Sequence, residues 1–190
     1  MGVYRTFTKS EKFRVSITII YLAIFLLFFL SIPMLFQWVG LLFIGMLVFF
    51  FILGAWIIKF FTFSTPAKFH GEFDGTLEFC QDKVVIRDAE YPINSIRKIE
   101  LEVSDYAGKG SFVVTLDPNL SNGTDNNLVL TLKTQEKVRV YFQLQSKVHF
   151  RQEREALISY HKHHKISFLR LIDLLGIKKY EAIQEFKKSL

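Results

Sequence analysis

The hydrophobic pattern of the chain is dominated by residues 15–58, a stretch that contains no Asp, Glu, Lys or Arg. A single helix over these 44 residues would be about 66 Å long, roughly twice the thickness of the hydrocarbon core of a bilayer. The stretch is therefore predicted to fold back as two membrane-spanning helices, residues 15–36 and 39–61, with a turn between Pro33 and Gly40. A re-entrant or interfacial hairpin is the alternative, but the spanning length of both segments favours two crossings.

Beyond residue 71 the pattern changes to an alternation of apolar and polar side chains, which is typical of antiparallel strands with one buried face. Turn-forming residues interrupt it near 88–89, 105–110, 117–127 and 135–136. Short strands at this spacing predict a curled sheet or a small barrel. The apolar stripes are Phe73, Gly75, Leu77 and Phe79; Val84 and Ile86; Ile99, Leu101 and Val103; Phe112, Val114 and Leu116; Leu128, Leu130 and Leu132; and Val138, Val140, Phe142 and Leu144.

The last part of the chain has helical periodicity instead. One helix is predicted over residues 147–164, with Leu157 on its apolar stripe. A second is predicted from Ser167, as its N-cap, to Leu175, because a glycine follows at the position where helices end in a left-handed conformation. A third is predicted over residues 179–189. The fold class is therefore an α+β membrane protein.

The charge distribution predicts the orientation of the apolar helices. The net charge is +6, and half of it comes from the first fourteen residues, where Arg5, Lys9, Lys12 and Arg14 face a single acid. Because cytoplasmic flanks of membrane helices collect Lys and Arg, both chain termini are predicted to lie in the cytoplasm of a multi-pass inner-membrane protein. The same flank accounts for the basic excess, so no nucleic-acid partner is expected. The one cysteine, Cys80, cannot form an internal disulfide.

Five segments follow from these patterns. Residues 1–14 are a basic cytoplasmic N-terminus, and residues 15–61 are the transmembrane helical hairpin. Residues 62–71 are a linker that holds the next segment close to the membrane. Residues 72–164 are a cytoplasmic domain, and residues 165–190 are a helical extension.

The order of elements carries a resemblance to a known family. Tyr91-Pro92-Ile93 leads into the strand that contains Ser95-Ile96-Arg97-Lys98-Ile99, and a C-terminal amphipathic helix follows the last strand. This order resembles the pleckstrin-homology-like domains of bacterial membrane proteins. The segments 120–126, 166–169 and 183–188 are similar to those of two-span inner-membrane proteins of Bacteroidota. The resemblance implies a seven-stranded barrel or sandwich of two near-orthogonal sheets, closed by a C-terminal helix. The last ~25 residues exceed such a domain.

No residue pattern indicates an enzyme, a cofactor or a metal site. Neither a catalytic triad order nor a phosphate-binding glycine loop is present, and residues 15–58 carry no charge of the kind that transporters use. His161, His163 and His164 suggest a metal cluster, but a solvated basic helix end accounts for them better. The loop 80–83 lacks the clustered basic residues that phosphoinositide binding requires.

The C-terminal extension is the predicted partner-binding region. Its short helix is apolar nearly all round, so it must be buried against something. Three alternatives remain open: packing on its own domain, a groove on a partner protein, or the inner face of an anionic membrane. The residues selected for partner binding are Phe168, Leu171, Leu175 and Phe186, together with the loops 105–110 and 117–127.

These observations predict a cytoplasmic pleckstrin-homology-like domain that is anchored at the inner membrane and acts as a protein-interaction or scaffolding module. The alternative is an accessory structural subunit of a larger membrane complex, bound through the Phe-rich transmembrane hairpin. The expected partners are the lipid bilayer and a protein or membrane complex. The pattern leaves homo-oligomerisation open.

Overall fold

The computed structural model describes residues 2–9, 15–31, 40–69, 71–110, 116–118, 120–146 and 148–190. The described chain is an α+β protein with a mostly antiparallel sheet and five α-helices. It divides into two compact units. The sheet unit is built from Met1–Ser10, Phe69–Lys109 and Ser121–Leu190, and the helical unit from Glu11–Lys68 and Gly110–Leu120.

The helical unit contains two apolar helices, α1 (Ile17–Ser31) and α2 (Gly40–Phe63). Within α2, the segment Ile44–Phe63 is long and apolar enough to cross a membrane, and none of it is buried in the protein. The apolar helix Ile17–Phe28 is shorter. One membrane-spanning candidate is thus found among the described residues, whereas the sequence predicts two spans. The predicted turn at Pro33 lies outside the described residues.

The two apolar helices pack against each other. The ring of Tyr21 stacks on Phe51 with 4.7 Å between the ring centroids, and its hydroxyl donates a hydrogen bond to the Phe51 carbonyl at 2.8 Å. A Cβ atom at Gly54 would lie 2.5 Å from the Tyr21 hydroxyl oxygen, so the missing side chain allows this close approach. This small residue of α2 therefore serves the packing of α2 against α1.

The sheet unit is built on one seven-stranded sheet with the order β4-β3-β2-β1-β9-β8-β5. A second sheet pairs β6 with β7. The strands are β1 (Val3–Lys9), β2 (Gly71–Phe79), β3 (Lys83–Ile86), β4 (Ala89–Pro92), β5 (Ile96–Val103), β6 (Ala107–Gly110), β7 (Leu120–Asn122), β8 (Asn126–Leu132) and β9 (Lys137–Phe142).

Strand β1 lies in the middle of this sheet, although it precedes the apolar helices in the chain. It pairs antiparallel with β2, where Lys9 is opposite Gly71, and on its other side with β9, where Phe7 is opposite Tyr141. The sequence predicts only a basic flank over residues 1–14. The register means that the chain leaves the sheet unit after β1 and returns to it at a directly neighbouring position.

The predicted alternation agrees with the core in most strands. The hydrophobic core includes Leu77 and Phe79 of β2, together with the inward-facing residues of β5, β8 and β9. Phe73 departs from its predicted stripe. The register shifts between Thr6 and Phe7, which pair with Gly75 and Phe73, so Phe73 contacts Phe7 and stays outside the core cluster. The predicted stripe that begins at Phe112 lies largely outside the described residues.

The sheet does not close into the barrel that the family resemblance implies. Strands β4 and β5 are its two edges, and the described residues show no pairing between them. The free edge of β5 is occupied instead. The Ile99 amide donates to the Lys165 carbonyl at 3.0 Å, and the Arg170 guanidinium donates to the Leu101 carbonyl. Because these groups already have partners, β5 has little left to offer another strand.

The predicted C-terminal helices are present with small shifts. The first predicted helix is divided into a 3-10 helix (His149–Glu153) and α3 (Arg154–Lys162). Helix α4 (Phe168–Leu175) begins at Ser167, whose side chain accepts a hydrogen bond from the Arg170 amide, and it ends at Gly176 with φ +68°. This confirms both predicted caps. Helix α5 covers Tyr180–Lys188.

Candidate functional site: a cleft at the end of strand β5

The residues that the sequence selects for partner binding pack into the sheet unit. Leu171, Leu175 and Phe186 belong to the core, and Leu171 is 0% exposed. Phe168 stacks on Phe186 with 6.4 Å between the ring centroids. Of the three alternatives left open by the sequence, the structure therefore has packing on the protein's own domain. Binding of a partner through this face stays a prediction, and it would require α4 and α5 to detach.

One exposed feature next to these helices is a cleft of about 330 Å³ at the C-terminal end of β5, called the β5 cleft below. The connection between β5 and β6 forms one wall, and the end of α4 forms another. The 3-10 helix provides a third. The cleft includes part of the predicted loop 105–110. Its charged residues are Asp105, Lys109, Arg151, Asp173 and Lys178, and its apolar residues include Val103, Leu144, Phe150 and Leu174.

The floor of the β5 cleft is apolar and firmly held. Leu144 and Phe150 are both 2% exposed and belong to the core. The Ala107 amide donates to the Leu144 carbonyl at 2.8 Å, and the Leu144 amide donates to the Gly123 carbonyl at 2.8 Å. Backbone hydrogen bonds therefore hold Leu144 in place from both of its sides.

Both carboxylates of the β5 cleft already have hydrogen-bond donors. The Asp105 carboxylate is buried and accepts hydrogen bonds from the Ser121 hydroxyl and, at 3.1 Å, from the Asp125 amide. The Asp173 carboxylate accepts from the Arg170 guanidinium in an ion pair. The hydrogen bonds of these two carboxylates are therefore made within the protein, and they stabilise the fold.

The basic side chains of the β5 cleft make fewer hydrogen bonds within the protein than its carboxylates do. The Lys109 ammonium donates one hydrogen bond, to the Ser104 carbonyl at 2.6 Å. In the part of the chain that the structure describes, the side chains of Arg151 and Lys178 make no hydrogen bond or ion pair. The Arg151 guanidinium lies beside the end of α4, since a Cβ atom at Gly176 would be 3.4 Å from its Nη2. The cleft therefore presents cationic donors above an apolar floor.

The other candidate sites have structural roles. The Nδ1 atoms of His161 and His163 lie 2.9 Å from the carbonyls of Ile166 and Ser159. Within the described residues no group of three ligands could hold a metal ion. Partial burial raises the pKa of the Cys80 thiol above its usual value, which disfavours the reactive thiolate. Its carbonyl accepts a hydrogen bond from the Tyr160 hydroxyl at 2.7 Å.

No family model, curated protein or solved structure matches this chain. The function must therefore be argued from the residues themselves. Sequence reasoning did not find the β5 cleft as a whole, because its cations Lys109, Arg151 and Lys178 come from three segments far apart in the chain. The sequence signal for it is the loop 105–110, which is predicted to bind a partner.

Proposed function

We propose that this protein is a membrane-anchored, cytoplasmic protein-interaction module, held at the inner membrane by its two apolar helices and open to a partner at the β5 cleft. The observation that carries the proposal is the pairing of β1 with β2. Residues 9 and 71 are opposite each other in one sheet, so they lie on the same side of any membrane. The apolar segment between them must then cross that membrane an even number of times.

The properties of α2 support one crossing, and the strand pairing then calls for a second. Helix α2 has the length and composition of a span, and its aromatic side chains at Trp56, Phe60 and Phe61 are each 73% exposed. Exposed aromatic and aliphatic side chains suit lipid contact and are unfavourable in water. If α2 crosses once, α1 supplies the second crossing. The basic residues of the first fourteen positions favour the cytoplasmic side for both ends.

A pleckstrin-homology-like architecture for the sheet unit is part of this proposal. What supports it is a seven-stranded sheet followed by C-terminal helices that bury an apolar face. Helix α3 contributes Leu157 and Tyr160, both 0% exposed, to the core. The open edge between β4 and β5 departs from the closed form, and no catalytic activity is proposed.

The partner-binding part of the proposal is tested by cross-linking in the native cells. A photo-reactive amino acid is placed at Tyr106, beside the β5 cleft, and a matched one at Lys133 in the exposed turn between β8 and β9. We expect a discrete adduct from position 106 that is absent from position 133. The adduct should disappear when Arg151→Glu is added. Equal adducts at both positions, or an adduct that survives Arg151→Glu in a folded protein, would contradict the proposal.

The second candidate function is an accessory subunit of a membrane complex, bound through the Phe-rich hairpin. The exposed aromatic side chains of α2, among them Phe49 and Phe50, favour it. Replacing residues 15–61 by an unrelated two-span hairpin separates the two functions. Retained association supports binding through the sheet unit, and lost association supports binding through the hairpin.

A further inference from the structure

We infer that the β5 cleft recognises a short peptide segment of the partner in which one carboxylate lies next to an apolar side chain. The inference rests on the proposed function and names the chemistry of the partner. Two features of the cleft support it together. The side chains of Arg151 and Lys178 make no hydrogen bond or ion pair within the described residues, and the floor beneath them is apolar.

The rim has the charge that a single carboxylate requires. Lys109, Arg151 and Lys178 oppose Asp105 and Asp173, which leaves one positive charge in excess. Because Asp105 and Asp173 have donors of their own, an incoming anion competes with few internal partners. A monoanion balances this rim. A phosphate dianion would add charge that the two nearby carboxylates repel.

Arg151 is the residue best suited to fix the position of the carboxylate. A guanidinium offers two parallel N–H donors to a carboxylate, and such bidentate pairs are among the stronger hydrogen bonds in proteins. Its neighbour across the cleft, the end of α4, closes at Gly176, where any side chain would approach the guanidinium. The end of α4 and the Arg151 guanidinium thus lie within van der Waals reach of each other.

The floor selects against a simple inorganic anion. Leu144 and Phe150 line the cleft as buried core residues, and the half-buried Val103 and Leu174 leave apolar surface exposed in it. The cavity of about 330 Å³ is much larger than an inorganic anion and falls at the lower end of the range for small-ligand pockets. An apolar side chain next to the carboxylate would cover this surface and remove it from water.

The size of the cleft and its position favour a peptide. An acidic residue with one or two apolar neighbours places a carboxylate and an apolar group within a few ångströms of each other on one chain. The cleft lies on the sheet unit, which the proposal places in the cytoplasm, where segments of partner proteins are accessible. The other sources of an anion, inorganic phosphate and anionic lipid, are outcomes of the experiment below.

The experiment measures peptide binding to the full-length protein in nanodiscs of zwitterionic lipid by fluorescence anisotropy. The probe is a labelled pool of eight-residue peptides with one Asp or Glu flanked by Leu, Ile or Phe. The matched pool carries Asn or Gln instead. We expect the acidic pool to bind roughly tenfold more tightly than the amide pool, which corresponds to the loss of one charge-assisted hydrogen-bonded contact. The difference should shrink at high salt.

Charge-neutral variants locate the effect. The preference for the acidic pool should disappear in Arg151→Gln and weaken in Lys178→Gln, both of which are exposed and so leave the fold intact. Lys133→Gln, on the far turn, should bind like the wild type. Equal binding of both pools would overturn the inference. So would full displacement of the acidic pool by an equal concentration of inorganic phosphate. Loss of peptide binding only when anionic lipid is added to the nanodiscs would also overturn it, because the lipid would then be the ligand of the cleft. Cross-linking at Tyr106 tests the proposed function separately, because it detects a partner of any chemistry.

Discussion

At the scale of single residues, Glu153 joins the first strand to the helical end of the sheet unit. Its carboxylate is 2% exposed and accepts hydrogen bonds from the Gly2 amide at 2.6 Å and the Tyr4 hydroxyl at 3.1 Å. Burial, together with the nearby charge of Glu153, raises the pKa of the Tyr4 hydroxyl well above its usual value, so it stays a donor. The Tyr4 hydroxyl has only a longer alternative, the His149 carbonyl at 3.4 Å, so the Glu153 carboxylate is the nearer acceptor for that hydroxyl and accepts from the Gly2 amide as well.

We predict that Glu153→Ala lowers the free energy of unfolding of the sheet unit by about 2 kcal/mol, because the Gly2 amide loses its acceptor and the Tyr4 hydroxyl keeps only the longer contact with the His149 carbonyl. Glu153→Gln should cost less, since an amide oxygen still accepts. Thermal unfolding in detergent measures the difference, and Glu136→Ala, in an exposed turn, is the matched control. An unchanged unfolding temperature for Glu153→Ala would show that the two hydrogen bonds to Glu153 contribute nothing to stability.

Asp74 makes stability depend on pH. Partial desolvation raises its pKa, but hydrogen bonds from the hydroxyls of Thr6 and Thr8, both at 2.7 Å, and from Arg87 lower it, and the net pKa lies below the usual value. A depressed folded-state pKa contributes stability above the unfolded-state pKa and loses it as pH falls through the folded-state value. Asp74→Asn should therefore be less stable than wild type at neutral pH by about 1 kcal/mol. The two should converge at pH values below the carboxyl range, and a constant difference across pH would contradict this.

At the scale of elements, β1 determines what can fold alone. It pairs with β2 on one side and β9 on the other, and its Tyr4 belongs to the core. A chain that begins at residue 71 lacks this strand and leaves both neighbours with unpaired edges. We predict that residues 71–190 alone aggregate. A chain with residues 10–70 replaced by Asn-Gly, a turn that joins antiparallel strands, should be soluble and folded.

These two chains form a matched pair. Both lack the apolar helices and the Phe69 ring, and they differ in whether β1 is present. Size-exclusion chromatography and amide exchange of β2 and β9 distinguish them. Equal folding of both chains would show that β1 is dispensable. Aggregation of both would show that the sheet unit needs residues of the helical unit.

The packing of α1 on α2 gives a second test at this scale. Gly54 lies against the Tyr21 hydroxyl, whereas a Cβ atom at Gly45 would have nothing within 4 Å. We predict that Gly54→Val displaces the Tyr21 ring, breaks its hydrogen bond to the Phe51 carbonyl and lowers stability in detergent by about 1 kcal/mol. Gly45→Val should have little effect. The same loss in both variants would mean that the substitution acts through helix propensity alone.

The sequence predicts these elements unevenly, and the reasons are physical. The stripes at Leu128 and Val140 were predictable because alternation is a local property of the chain. The caps of α4 at Ser167 and Gly176 were predictable for the same reason. Strand β1 was not, since its partner is about sixty residues away and its seven residues alternate poorly around the register shift. The β5 cleft was not either, because only the fold brings its segments together.

At the scale of the whole molecule, the pairing of β1 with β2 restricts the membrane topology. Because β1 and β2 are neighbours, a single crossing by α2 would place the two strands on opposite sides of the membrane and prevent their pairing. We therefore predict two crossings, with the predicted turn near Gln37 on the outer side. The prediction concerns three positions that can each carry a single cysteine.

Cysteine labelling in intact cells tests this topology, in a Cys80→Ser background that removes the native thiol. A membrane-impermeant maleimide should label Gln37→Cys from outside, because a short turn between two spans is exposed there. Val3→Cys, exposed on β1, and Glu136→Cys should be labelled only after permeabilisation, since both belong to the sheet unit. Labelling of Val3→Cys and Glu136→Cys from opposite sides would rule out the pairing of β1 with β2 in the membrane-bound protein. Protection of Gln37→Cys would instead indicate a hairpin that enters the membrane without crossing it.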